Sequence, residues 1–323
     1  MTLFTLDELH EARELVARFV SPTPTHTYPL LDEATGTKVF VKHENTTPTG
    51  AFKVRGGLVF MHRLTQRSPD TPGVVSATRG NHGISLSFAG RAFGVPVVIC
   101  VPEGNGQEKN DTMRALGAEV VVHGADFQAA LEHSLLLAAE RELEPVPPFH
   151  RDLVTGVATY AYEFLTATPD LDVVYVPVGM GSGICGLITT RDLLEHPVKI
   201  VGVGVEGAPA QRLSFLAHQA TSTPSAHTFV DGVATRQPDP IATEIIRQGA
   251  EDIVLVSDDN AADALRVLWR TTHHLAEPAG AVALAGLLQQ RNGSGRRCGF
   301  VLTGANMDTS MAAQVLSGTT PVA

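Results

Sequence analysis

The feature that most constrains this chain is a rhythm of short, nearly uniform apolar runs alternating with longer stretches of helical period. Residues 73–77, 95–101, 119–123, 172–178, 199–205, 253–256 and 299–302 read as strands. Residues 81–93, 108–116, 127–142, 260–274, 278–290 and a stretch ending at Leu194 read as helices. A strand that is apolar on both faces needs cover on both, and strands joined by helical crossovers run parallel. The expected fold class is therefore α/β, with open parallel sheets. The rhythm breaks at Glu144-Pro145-Val146-Pro147-Pro148, which reads as a boundary between two lobes. A chain of 323 residues is long enough for two cores.

The flanking segments are plainer. Residues 5–18 form an amphipathic pattern with Thr5 as N-cap, Glu8 completing a capping box, and Leu9, Ala12, Leu15 and Val16 as the buried stripe. Residues 21–25 read as an extended connector and 38–42 alternate like a strand. Residues 218–240 are polar and irregular, a loop expected near the mouth of the site.

Composition works by exclusion. The chain has 24 basic and 34 acidic residues, a net charge of −10, and no basic patch. That disfavours nucleic acid and anionic membrane as partners. Cys100, Cys185 and Cys298 are far apart and odd in number, so neither a zinc spacing nor a disulfide framework is expected. A reducing, cytoplasmic compartment fits. The first segment has acidic residues and helical period, unlike a signal peptide, and no apolar run approaches the roughly 20 residues that span a bilayer.

Candidate chemistry begins at Thr49-Gly50-Ala51-Phe52-Lys53-Val54-Arg55-Gly56-Gly57. Among small and apolar neighbours Lys53 can be desolvated to the neutral amine that attacks a carbonyl. Taken alone, a surface lysine after a turn is the commoner reading. Three later stretches change the balance. Val178-Gly179-Met180-Gly181-Ser182-Gly183 follows a strand and opens a helix, which suits a single phosphate, or else a tight turn closing a βα unit. It is not a dinucleotide fingerprint, since position 184 is Ile, nor a Walker loop. Ser76-Ala77-Thr78-Arg79-Gly80-Asn81-His82-Gly83 repeats the strand-to-helix step and can hold a carboxylate on backbone N–H groups. Asn81 there offers an amide to a ring oxygen or caps the helix, and His82 alone reads as structural. Val301-Leu302-Thr303-Gly304-Ala305-Asn306 ends a strand at the edge where open parallel sheets bind ligands, with Thr303 as a helix cap in the plainer reading.

In identity, order and separation these motifs match one family across nearly the whole chain. The chain resembles the threonine/serine dehydratase family of pyridoxal-phosphate enzymes, in the tryptophan-synthase-β-like fold. The resemblance implies pyridoxal 5′-phosphate as cofactor, a small amino acid as substrate and a homodimer. It implies a large cofactor-anchoring domain of residues 1–47 and 148–323 and a small substrate domain of residues 48–147, two open parallel-sheet lobes with the cofactor between them. Position by position, Lys53 matches the lysine that binds the cofactor and then acts as catalytic base. Phe52 matches the ring against the cofactor face, and Asn81 the partner of its 3′-oxygen. Gly179, Met180, Gly181, Ser182 and Gly183 match the phosphate loop, and Thr303 the partner of the pyridine nitrogen. Asp231-Gly232-Val233-Ala234 resembles the segment lining the cofactor's other edge, and Glu277 a glutamate near the cofactor, or equally an acid at a helix N-terminus. Thr78, Arg79, Gly80, Asn81 and His82 occupy the loop that receives the substrate carboxylate. The implied reaction is β-elimination of water from a 3-hydroxy amino acid, giving a 2-oxo acid and ammonia.

The chain departs from the pattern in places. Arg79 stands where racemase-like members have a proton-carrying serine, and arginine is too basic to exchange a proton near neutral pH. Racemisation is thus disfavoured, and Arg79 either holds an acidic group of the substrate or stands exposed at the rim. Glu206 matches a glutamate of the divalent-ion site in those members, but Arg212 replaces their aspartate, so no metal is expected. The chain ends soon after the last motif, without room for the regulatory domain of biosynthetic threonine dehydratases. Lys42-His43-Glu44-Asn45 and the runs around Lys53 and Asn81 resemble the phenylserine-dehydratase-like and hydroxyectoine-utilisation dehydratase groups, which implies a substrate bulkier than serine.

Overall fold

The computed structural model describes residues 2–290 and 295–322. Among these the strands are β1 (Thr25–His26), β2 (Lys38–His43), β3 (Val74–Ala77), β4 (Val97–Val101), β5 (Glu119–Val122), β6 (Glu144–Pro145), β7 (Val173–Pro177), β8 (Lys199–Val205), β9 (Asp252–Val256) and β10 (Arg297–Leu302). They form a six-stranded sheet in the order β1-β2-β10-β7-β8-β9 and a four-stranded sheet in the order β5-β4-β3-β6. Only β1, paired to β2, runs antiparallel; every other pair is parallel.

The apolar runs behave as two-faced strands should. In β7, Val173 and Tyr175 enter the core on one side of the sheet, and Val174 and Val176 enter the core on the other. In β4, Val97, Ile99 and Val101 face one core of the small sheet, Val98 and Cys100 the other. This period of two explains why the strands look uniformly hydrophobic.

Several elements differ from the sequence reading. Lys53 opens the helix Lys53–Arg67 instead of sitting in a turn. The two glycines that made this stretch look like a turn are a crossing point for backbones. A Cβ on Gly56 would lie 2.6 Å from the Leu153 carbonyl oxygen, and one on Gly57 2.3 Å from Ser85 Oγ. The proline-rich break also contains a strand. In β6, Glu144 N–H donates to Gly73 and Val146 N–H to Val75, so Pro145, which has no N–H, faces away from the ladder at the sheet edge. The connector 21–25 ends in β1. Residues 218–240 are irregular but not wholly polar, since Phe229, Val230 and Val233 are buried. Helices Pro29–Thr35, Arg151–Ala167, Ala210–Ala217, Pro240–Gly249 and Thr309–Leu316 lie where no helix is expected from the sequence. The helix Leu6–Val16 carries the expected Thr5–Glu8 capping box and buried stripe. The three cysteines are free and buried, and no described helix is long and apolar enough to cross a membrane.

A buried ionic cluster ties the end of β2 to two neighbouring helices. Arg55 donates to both oxygens of Glu44, at 2.7 and 3.0 Å, and to both oxygens of Glu163, at 2.7 and 3.0 Å. Lys42 of β2 also reaches Glu163, at 2.6 Å. Strand β2, the helix of Lys53 and the helix Arg151–Ala167 are thereby held in one register.

Candidate active site

The site lies where the carboxyl ends of β3, β7 and β10 meet the start of the Lys53 helix. Phe52 N–H donates to the Thr303 carbonyl at 3.0 Å, just beyond β10, and Ala51 bridges to Gly304. These bonds fix the backbone that presents the lysine. Lys53 is half-buried, with Nζ 4.9 Å from the centroid of the Phe52 ring. Burial is the main influence on its amine and Glu277 opposes it; the pKa falls to about 8.

Glu277, 3 % exposed, sits immediately before the helix Pro278–Gln290. Its Oε1 accepts from Asn81 Nδ2 at 2.6 Å. Burial pushes its pKa up to about 7, against the pull of Lys109. Gly304 is needed here, because a Cβ would stand 2.3 Å from that same Oε1. Asn81 is the first residue of the helix Asn81–Phe93, Gly80 taking the cap position, and its side chain turns to Glu277 instead of capping.

The glycine loop runs from β7 into the helix Ser182–Leu193, and Gly181 requires its residue type at φ +103°. Its carbonyls are engaged. Gln211 Nε2 donates to Gly179 O at 2.6 Å, Cys185 N–H to Gly181 O at 2.9 Å, and Tyr160 OH to Gly183 O at 3.1 Å. Among the described residues nothing accepts from the N–H groups of residues 179–183. The outcome is a row of free donors at a helix N-terminus, which fits an anion. Gly179 packs against Gly232, where a Cβ would meet the carbonyl oxygen at 2.6 Å, and Gly183 faces the Phe52 ring. Met180 accepts a weak bond from Thr235 at 3.8 Å.

The structure therefore brings together Phe52, Lys53, Asn81, Gly179, Met180, Gly181, Ser182, Gly183, Gly232, Glu277 and Thr303. In the neighbouring loop Thr78 is buried and its hydroxyl accepts from Gly80 N–H at 3.0 Å. Arg79 is exposed at the rim, and His82 is buried. Arg212 turns away to Asp252 and the Ile253 carbonyl. Among the described residues no group of three or more His, Cys, Asp or Glu is placed to hold a metal.

Other site residues were not visible as such in the sequence. Asn306 Nδ2 donates to Asn81 Oδ1 and to the Thr49 carbonyl, both at 2.8 Å, extending the Glu277–Asn81 pair. Lys109 lays its stem against Gly80 and reaches Asp231 at 2.7 Å, joining the small sheet's side to the turn Asp231–Val233. Asn306 lies in a run already singled out; nothing local marks Lys109, Gln211 or Tyr160.

The site fits pyridoxal phosphate on its own chemistry: a desolvated amine for an aldehyde, a flat ring beside it, and free donors for a phosphate. A family model described as "Pyridoxal-phosphate dependent enzyme" matches residues 16–304. The chain is 30% identical over 316 residues to an L-threonine ammonia-lyase of Thermotoga maritima, covering 98% of this chain and 79% of that protein. It is 31% identical to a biosynthetic L-threonine dehydratase of Salmonella typhimurium, of which it spans 56%. Its fold matches processed threonine deaminase isoform 2 of Solanum lycopersicum with a TM-score of 0.88 at 28% identity, covering 98% of this chain and 95% of that one. It also matches a pyridoxal 5′-phosphate-dependent aspartate racemase with a TM-score of 0.90 at 27% identity, covering 96% and 98%. The chain belongs to the pyridoxal-phosphate dependent enzymes, in their threonine/serine dehydratase family.

Proposed function

We infer that this enzyme removes water from a 3-hydroxy L-amino acid, releasing a 2-oxo acid and ammonia. The observation that carries this reading is the Lys53 amine, desolvated beside the Phe52 ring and facing Glu277, with no carboxylate among the described residues bonded to it. When bound, pyridoxal phosphate supplies the electron sink for negative charge at the substrate's α-carbon. The phosphate would be held by Gly179, Met180, Gly181, Ser182 and Gly183, the ring face by Phe52, and the 3′-oxygen by Asn81, whose amide Glu277 polarises. Gly232 would line the other edge, and Thr303 would meet the ring nitrogen with a neutral hydroxyl.

Lys53 Nζ would hold the cofactor in the resting enzyme and, as a neutral amine beside the substrate, would take the α-proton. The backbone from Thr78 to His82 receives the substrate carboxylate. The α-proton taken up by Lys53 and the departing 3-hydroxyl together make up the water lost, and the enamine released reacts with water to give the 2-oxo acid and ammonia. In this reading residues 1–47 and 148–323 anchor the cofactor, residues 48–147 carry the substrate loop, and two chains form a cytoplasmic homodimer. The two sheets, drawn from residues 25–43 with 173–302 and from residues 74–145, support that division.

The substrate is serine, threonine or a bulkier relative such as 3-phenylserine; a hydroxyectoine-derived amino acid is the remaining dehydratase candidate. Racemisation is the second reading, favoured by the likeness to the aspartate racemase and opposed by an exposed arginine at position 79. A screen of serine, threonine, 3-phenylserine and 3-hydroxyaspartate, scored for 2-oxo acid and for chirality, decides. Purified enzyme should absorb as a lysine-bound pyridoxal phosphate, and Lys53→Ala should lose both that band and all product. Inversion of configuration without 2-oxo acid would replace elimination by racemisation. A Lys53→Ala protein that keeps the band would remove the lysine from its role.

A further inference from the structure

The loop 179–183 suits an anion only where its peptides turn N–H groups toward it, and the two ends of the loop are constrained differently. At the far end the helix Ser182–Leu193 sets the direction. Cys185 N–H bonds to the Gly181 carbonyl at 2.9 Å, so the first N–H groups of that helix lie along its axis, open toward the loop. At the near end no regular element does this. Strand β7 stops at Pro177, and the peptide joining Gly179 to Met180 belongs to neither strand nor helix. Glycine rotates freely about its backbone bonds, so by local preference this peptide could face either way.

A distant side chain settles it. Among the described residues the Gly179 carbonyl has one donor, Gln211 Nε2 at 2.6 Å. A carbonyl only accepts, so the nitrogen end of the Gln211 amide is the end that meets it. No described peptide bond is cis, and a trans peptide sends its C=O and its N–H in opposite directions. Met180 N–H therefore points away from Gln211, and among the described residues it finds no acceptor. A reversed peptide would put an oxygen where that N–H stands, and the oxygen would repel an anion. Gln211 is itself held fast. It is 4 % exposed, on the helix Ala210–Ala217. Arg212 beside it bonds to Asp252 and to the Ile253 carbonyl of β9, and Ser214 Oγ accepts from Thr221 N–H at 2.9 Å. The rotamer freedom of Gln211 is thus lost in folding and not in binding.

We propose that Gln211 is a positioning residue for the phosphate. By gripping the Gly179 carbonyl from outside the loop it aims Met180 N–H at the anion, and so sets the preference for a phosphorylated over an unphosphorylated aldehyde. It acts through the peptide and not by contact. The proposal rests on the reading that residues 179–183 hold the cofactor's phosphate.

Its test titrates the full-length apoprotein with pyridoxal 5′-phosphate and with pyridoxal, which carries a hydroxyl in place of the phosphate, and follows the absorbance of the lysine-bound aldehyde. Gln211→Met keeps the length of the side chain and loses the donor. Its Kd for pyridoxal 5′-phosphate should rise about 10- to 100-fold, as when a donor to a charged group is lost, and its Kd for pyridoxal less than about threefold. A variant that keeps the wild-type preference, or loses affinity for both aldehydes equally, overturns the proposal. A second measurement reads the peptide itself. In protein labelled with ¹⁵N-methionine, the Met180 amide is one of six methionine signals and is identified by its loss in Met180→Leu. Adding inorganic phosphate to wild-type apoprotein should move its proton resonance downfield, and should leave it in place in Gln211→Met. A Met180 signal unmoved in wild type, or moved equally in both proteins, overturns the proposal whatever the titrations give. Wild type that binds the two aldehydes equally well would remove the phosphate from the loop, and the proposal with that reading. Wild type and Gln211→Met that share one preference for pyridoxal 5′-phosphate would leave the reading standing and remove Gln211 alone.

Discussion

Two cations partly or wholly withdrawn from water lie two residues apart on one helix and meet opposite fates. Arg55, 0 % exposed, is gripped by both oxygens of Glu44 and of Glu163. Burial alone would weaken its hold on the proton, yet the two carboxylates more than offset that and its pKa rises. Lys53 is desolvated too, though only half-buried, with only Glu277 to oppose it, and Glu277 is itself pushed toward neutrality. Its pKa falls to about 8. Desolvation is common to both; compensation separates them. The compensated ion fastens the fold, and the uncompensated amine is left able to react.

The sharpest way to break this comparison is to delete each cation. Arg55→Ala leaves Glu44 buried without its cation and Glu163 with Lys42 alone, and removing one member of such a set costs about 3–5 kcal/mol. The urea midpoint of the apoprotein should fall accordingly. Lys53→Ala removes a charge whose desolvation was poorly repaid, so its apoprotein should stay within about 1 kcal/mol of wild type. Equal losses in the two variants would show that compensation does not distinguish the sites.

A smaller effect is expected at Glu277. Its folded pKa, about 7, lies above the ordinary 4.5. A carboxyl shifted that way adds stability that is complete below about 4.5 and is lost as the pH rises through 7. Glu277→Gln removes this contribution. In thermal melts of the apoprotein, the variant's Tm relative to wild type should therefore rise between pH 5 and pH 8. A difference independent of pH would mean that Glu277 titrates normally and that Lys53 has a charged neighbour after all.

The same contrast governs what was legible in the sequence. Strands show because their period of two, buried on both faces, leaves unbroken apolar runs. The helix Arg151–Ala167 does not show, because buried residues such as Val154, Thr155, Val157 and Thr159 surround it and leave no polar stripe. The helix Lys53–Arg67 is hidden by Gly56 and Gly57, which locally resemble a break and in three dimensions permit the crossing with Leu153 and Ser85. Lys53, Asn81 and the loop 179–183 are legible because each lies in a short motif with its own backbone logic. Gln211 on Gly179 and Asn306 on Asn81 depend on partners far away in the chain, so no local pattern announces them.

The smallest expected effect supplies the intermediate case. Lys109 is paired like Arg55, its ammonium 2.7 Å from Asp231, but Asp231 is 29% exposed. Burial would lower the Lys109 pKa, and Asp231 with Glu277 more than reverse this, so the net shift is upward. Water still reaches the pair, so its charge contributes little. Lys109→Met keeps a stem over Gly80 and deletes the charge. The variant should lose only about 0.2–1 kcal/mol, and the difference from wild type should shrink as salt is raised from about 0.01 to 0.5 M, where the screening length falls well below 10 Å. A loss matching that of Arg55→Ala would shift the weight of the comparison from full enclosure to pairing itself. A small, salt-sensitive loss would place enclosure first, as the network around Arg55 implies.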